Sequence, residues 1–204
     1  MRHLITALVA AIAVFMWGFI AWAAVGLYDF ATPTTPNDAK IVAALDEHLN
    51  TEGAYFLPSM PTGYGAEPKD EAQKAVFDDF ETRLRKGPVA LVFFHPSGME
   101  PMEPSELVKG FIIEFASALL LSCVLSAVVG GVKRKLMVGF TIALFAATAA
   151  HGVMGNFMHI PTLFTLAMWM DVVIAWTIAS AVIANMLVCC DKKCAAKKSA
   201  AAAA

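Results

Sequence analysis

The chain has 204 residues, 58% of them hydrophobic and 16% charged, with a formal net charge of −2 and a mean hydropathy of +0.64. A soluble domain is typically about 45–50% apolar and about 25% charged, so an ordinary soluble fold is excluded, and no basic patch points to nucleic acid. The apolar excess is concentrated in four runs, each near the roughly 20 residues that cross hydrocarbon at about 1.5 Å rise per residue.

The first run, residues 4–27, carries no charge. Its length exceeds the usual apolar core of a signal peptide of about 7–15 residues, and it contains Trp17 and Trp22. We expect an uncleaved anchor, residues 1–27, rather than a leader cleaved after Ala21-Trp22-Ala23.

Residues 28–109 form the one water-facing region. "ATPTTP" is a stiff connector, after which Thr35 fits an N-cap with Pro36 at the first helical position. The helix that follows places Ile41, Ala44, Leu45 and Leu49 on one face. "GAYFLP" (53–58) reads as a short strand. "PKDEAQKAVFDDFETRLRKG" reads as a second amphipathic helix with Ala72, Val76, Phe77, Phe80 and Leu84 as its apolar stripe. Acidic residues load its start, Arg83, Arg85 and Lys86 load its end, and Gly87 stops it. "PVALVFF" (88–94) reads as a strand apolar on both faces, which needs cover on two sides. The region is therefore a small α+β cap.

Three further runs, residues 110–132, 136–155 and 162–188, make spans two to four within 110–188, and residues 189–204 form a basic tail. Arg2, the Lys133-Arg134-Lys135 cluster and the tail lysines can share one side only if the spans alternate in direction. The positive-inside rule then puts both termini in the cytoplasm and the cap outside. Charge is divided accordingly: residues 28–109 hold 14 acidic and 7 basic residues, and the rest of the chain 3 and 8. No disulfide framework is expected, because Cys123 lies inside a span and Cys189, Cys190 and Cys194 lie at the cytoplasmic end. These last three, beside lysines, suit palmitoylation; free thiols at a helix end are the plainer reading.

Glu114, His151 and Asp171 lie inside spans, where a charge costs at least ~2.5–3.5 kcal/mol and so faces protein or water. Each continues a row of small residues at four-residue spacing: Glu114, Ala118, Ser122 and Ser126; Gly139, Ala143, Ala147 and His151; Ala167, Asp171, Ala175 and Ala179. Such rows are where membrane helices approach closely. All three groups fall about 6–14 Å from the outer ends of their spans and form a candidate buried polar layer, either a lock on the bundle or, functionally, a proton relay or a ligand pocket. Trp17, Trp22, Trp169 and Trp176 read as packing or interface anchors.

Soft ligands form a second candidate set. "HPSGMEPM" offers His95, Met99 and Met102, and "HGVMGNFMH" offers His151, Met154, Met158 and His159. Thioether with imidazole suits Cu(I), and His151 and His159 are available as haem axial ligands. Met also fills apolar cores without any metal, and the second string doubles as a helix end and turn. No nucleophile elbow, phosphate loop or zinc-protease motif is present.

"WGFIAW" (17–22), "GAYFLP" (53–58), "KGPVALVFFHPSGMEPM" (86–102) and the three closing spans together resemble a class of small uncharacterised bacterial four-span inner-membrane proteins. The resemblance covers nearly the whole chain. It implies the topology and a bacterial inner-membrane setting, and it brings no catalytic residues.

The sequence thus predicts a mainly α membrane protein: a four-helix transmembrane bundle with a small extracytoplasmic α+β cap. The functional expectation is a non-enzymatic accessory or assembly subunit of a larger inner-membrane complex, surrounded by lipid and by other membrane-protein subunits. The alternatives are an extracytoplasmic copper or haem protein and a small proton-coupled carrier.

Overall fold

A computed structural model describes the backbone of residues 1–202 and the side chains of residues 1–189. In chain order its elements are α1 (Arg2–Phe19), α2 (Asp38–His48), β1 (Gly53–Leu57), α3 (Glu71–Lys86), β2 (Ala90–Phe94), α4 (Pro104–Ala127), α5 (Val132–Ala147), α6 (Val153–Phe157) and α7 (Thr162–Ala202). One π-helical turn, Ile20–Ala24, extends α1, and another, Thr148–Gly152, joins α5 to α6. The chain divides into two compact units: Met1–Pro33 with Met102–Ala204, and Thr34–Pro101.

The first unit is helical. Arg2–Ala24, Pro104–Ala127, Val132–Phe157 and Thr162–Cys189 are long and apolar enough to cross a membrane, which marks the chain as a membrane protein by length and composition. α1 packs on α4 and α7, and α7 packs on α5. The core is made of small residues: Ala7, Ala10 and Ala11 of α1, Ala118 of α4, and Ala175 and Ala179 of α7 are buried, with Leu121, Leu125, Ile183 and Leu187 between them. The large apolar side chains point the other way, Leu120 being 70% and Phe145 73% exposed. Water would drive the reverse arrangement. In lipid, leucine gains nothing by leaving the solvent, and helices associate where small residues let backbones meet.

Gly139 shows how close that approach is. A Cβ built there would overlap the Ser180 side chain of α7. Near the other end of the same contact, a Cβ on Gly155 would come within 2.7 Å of the Thr165 side chain.

The Lys133-Arg134-Lys135 cluster belongs to the first turn of α5, not to a loop before it, because Gly131 already serves as the N-cap. Lys135 is only 3% exposed. Its Nζ donates to the carbonyl oxygens of Leu125 (2.7 Å) and Val128 (2.5 Å) at the end of α4. A helix C-terminus leaves carbonyls without intrahelical partners and carries partial negative charge. The lysine satisfies both conditions and closes the short α4–α5 connection.

The second unit carries a two-stranded antiparallel sheet in which Tyr55 of β1 stands opposite Val92 of β2. The α3 stripe buries Phe77 and Phe80 edge-on against the Tyr64 ring, with centroids 5.5 and 4.8 Å away. The Asp70 side chain caps α3 by accepting from Gln73 N at 2.7 Å, while Gln73 Oε1 accepts from Lys69 N at 2.7 Å. Ion pairs Arg83–Asp79 and Arg85–Glu81 support its last turns. Gly87 is the C-cap.

The start of α2 differs from expectation. Its N-cap is Asn37, not Thr35. The Thr35 hydroxyl accepts from Asn37 N at 3.2 Å, so it closes a turn ahead of the helix and cannot cap it.

Lys135→Met removes the donor from two α4 carbonyls and should lower unfolding free energy in mild detergent by ~1.5–3 kcal/mol. Lys133→Met should leave that value unchanged. Gly139→Val should force α5 from α7 and cost ~1–3 kcal/mol. Denaturant titration of the purified variants reads all three, and a wild-type transition for Lys135→Met would contradict the capping role.

Candidate functional site

Two side-chain hydrogen bonds from distant parts of the chain converge on Asp171. Its row on α7 is interior: Ala167, Ala175 and Ala179 are buried above and below it. Both carboxyl oxygens are engaged. Trp17 Nε1, on α1, donates to Oδ1 at 2.7 Å. The Tyr28 hydroxyl donates to Oδ2 at 2.9 Å. An indole N–H can only donate, so Asp171 is held as an acceptor on both sides.

Local structure delivers both donors. Trp17 follows Ala7, Ala10 and Val14 along the buried face of α1. Tyr28 follows the π turn. The chain there reverses at Gly26, whose φ of +61° suits glycine and whose missing Cβ leaves room for the Asp29 carboxyl. The reversal lays the Tyr28 ring on Trp22, stacked at 4.4 Å, and beside Phe164 at 5.8 Å. Tyr28 is almost fully buried and lies beyond the first candidate span. Burial first, and then the hydrogen bond and the charge of Asp171, hold its phenol above the ordinary tyrosine range.

Glu114 of α4 is the second carboxyl. Counted from the starts of α4 and α7, Glu114 and Asp171 are each about 14–15 Å along their helices. Glu114 Oε2 is buried and has no hydrogen-bond partner. Isolated polar atoms of this kind are uncommon in folded proteins.

His151 occupies the π turn Thr148–Gly152 and is half-buried. Among the described residues, no hydrogen bond or ion pair joins it to Glu114 or Asp171. The turn is tied to α7 instead by Trp169 Nε1 donating to Thr148 Oγ1 at 3.2 Å. Of the three groups in the expected polar layer, Asp171 is tied to Trp17 and Tyr28, and among the described residues no hydrogen bond joins the three to one another.

The soft-ligand set is divided between the units. His95 and Met99 belong to Thr34–Pro101, where His95 Nδ1 lies 3.3 Å from Glu52 Oε1. Met102, His151, Met154, Met158 and His159 belong to the helical unit. Met99, Met102, Met154 and Met158 are exposed, and His159 sits in the turn after α6 with φ +51°. Thioethers apart, no group of three His, Cys, Asp or Glu among the described residues is placed to hold a metal. Of the proposed lipidation sites, Cys189 is exposed at the end of the fourth candidate span. The side chains of Cys190 and Cys194 lie outside the described residues.

Trp17 and Tyr28 carry the site and were read only as an anchor and as part of the water-facing region. One signal for Trp17 was available: it lies three residues after Val14 and four before Ala21, on the same face as both. Tyr28 had none, because its role depends on the reversal at Gly26.

Trp17→Phe and Tyr28→Phe should each destabilise the protein by ~1–3 kcal/mol by leaving a carboxyl oxygen unsatisfied. In an Asp171→Ala background both costs should shrink. Double-mutant cycles by denaturant titration measure the coupling, and zero coupling for both pairs would refute the shared site. No family model matches the chain, and no curated protein or solved structure shows significant similarity to it.

Proposed function

We propose that the protein is a non-enzymatic accessory or assembly subunit of a larger bacterial inner-membrane complex. Its four long apolar helices anchor it, both termini lie in the cytoplasm, and the smaller unit docks a partner on the outer side. The observation that carries this reading is the uncovered apolar surface of that unit. α2 buries none of its residues, and its Ile41 and Val42 are 50% and 57% exposed. On β2, Phe93 is 69% exposed. With only two strands in the sheet, β1 and β2 each keep one unpaired edge. Exposed strand edges and contiguous apolar patches are features of surfaces that pair with another chain.

The polarity of charge supports the orientation, with basic clusters at Lys133-Arg134-Lys135 and in the tail and the acidic excess between residues 28 and 109. The buried carboxyls fit a structural and binding role better than hydrolysis. Both Asp171 oxygens are already taken.

Gentle solubilisation from native membranes should recover the chain with a stoichiometric membrane-protein partner. Phe93→Asp combined with Val42→Asp should release that partner while the thermal transition of the helical unit is kept. A monodisperse lone chain from native membranes would overturn the proposal.

A further inference from the structure

The helical unit contains a pocket of about 420 Å³ between α1 and α4. Its walls are Phe15, Gly18, Phe19 and Trp22 on one side and Leu107 and Glu114 on the other. Small-molecule sites commonly enclose about 300–1,000 Å³, with mostly apolar walls and a few polar groups that fix orientation. This pocket has one ionisable wall residue, Glu114.

Among the described residues, Glu114 holds the one buried side-chain polar atom without a partner. Its Oε2 is buried without a hydrogen-bond partner. The donors of Trp17 and Tyr28 are spent on Asp171. No Lys, Arg or His among the described residues forms an ion pair with either carboxyl. Lys109, the nearest basic residue along α4, donates to Glu106 at 2.7 Å. A buried polar atom ordinarily has a hydrogen-bond partner, and the Glu114 carboxyl has an oxygen without one.

From this geometry we infer that the pocket binds a lipophilic organic ammonium, its apolar body between the α1 rings and its charged head at Glu114. The ammonium supplies the two things the site lacks, N–H donors and positive charge. Glu114 lines the pocket, so its carboxyl meets the head group there, and the positive charge also offsets the unpaired Oε2. Phe15, Phe19 and Trp22 line the pocket, and an aromatic ring attracts a cation placed within about 6 Å of its face. The apolar remainder of the wall selects a ligand that reaches the site from the lipid phase. This inference is independent of the docking role of the smaller unit.

Two variants separate ligand binding from folding. Glu114→Gln keeps the shape and removes the charge. Gly18→Leu fills the pocket, and nothing lies within 4 Å of a Cβ built at Gly18, so it intrudes on the cavity rather than on the fold. The probe is 4-phenylbutylammonium, with 4-phenylbutanol as its neutral counterpart, titrated against the full chain in nanodiscs and read by tryptophan fluorescence. Saturable binding of the amine at least about tenfold tighter than the alcohol is expected, a difference of about 1.4 kcal/mol. Glu114→Gln should remove that preference, and Gly18→Leu should abolish binding of both probes with the thermal transition retained. Equal affinity for amine and alcohol, no saturable binding, or wild-type binding by Gly18→Leu would each overturn the inference. Should Glu114→Gln fail to fold, the wild-type amine–alcohol ratio and Gly18→Leu decide the matter.

Discussion

In hydrocarbon a leucine gains nothing by turning inward, so helices adhere only where their backbones can come close. That constraint organises the helical unit. α7 lies at its centre because it carries small residues on more than one face: Ala175 and Ala179 toward the shared core with α1 and α4, and Ser180 against Gly139 of α5. Leu120 and Phe145 face outward for the same reason. The smaller unit follows the opposite rule. Its interior is aromatic, built from Phe77, Phe80 and Tyr64.

Close approach also decides the fate of polar groups. A carboxyl on a small-residue row is carried into the helix contact together with the alanines around it. Asp171 arrives where Trp17 and Tyr28 can satisfy both oxygens, and α1, α7 and the turn after the first span are thereby joined at one point. Glu114 arrives beside a pocket, and its Oε2 is left without a donor. Two carboxyls at similar distances along their helices thus play different parts. One ties elements together, and the other is available to something that enters.

The α4–α5 connection illustrates a further use of charge. Lys135 was readable as one member of a basic cluster on the inner side of a membrane. Its neighbours in the chain said nothing of its burial. The tight turn folds the first turn of α5 back along the end of α4, and the ammonium then meets carbonyls that no amide can reach. Thr35 is the converse case, a residue of the right type for an N-cap whose hydroxyl closes a turn first.

What the sequence determined by itself is local. The four apolar runs follow from length and composition, the strands near 53–58 and 88–94 from short apolar runs beside glycine and proline, and the α3 stripe at Phe77 and Phe80 and the interior rows through Ala118, Gly139 and Ala175 from the 3.6-residue repeat. The tertiary structure decided which residues complete those rows. Trp17 and Tyr28 lie 154 and 143 residues from Asp171, and no repeat within one helix encodes a donor on another. It also decided which polar groups meet. Helical spacing set the depth of His151, Glu114 and Asp171 along their axes but not the rotation of one helix against the next. Rotation is chosen by shape, by Gly139 against Ser180 and by the alanines of α1 against those of α7, because close packing is all that an apolar medium rewards.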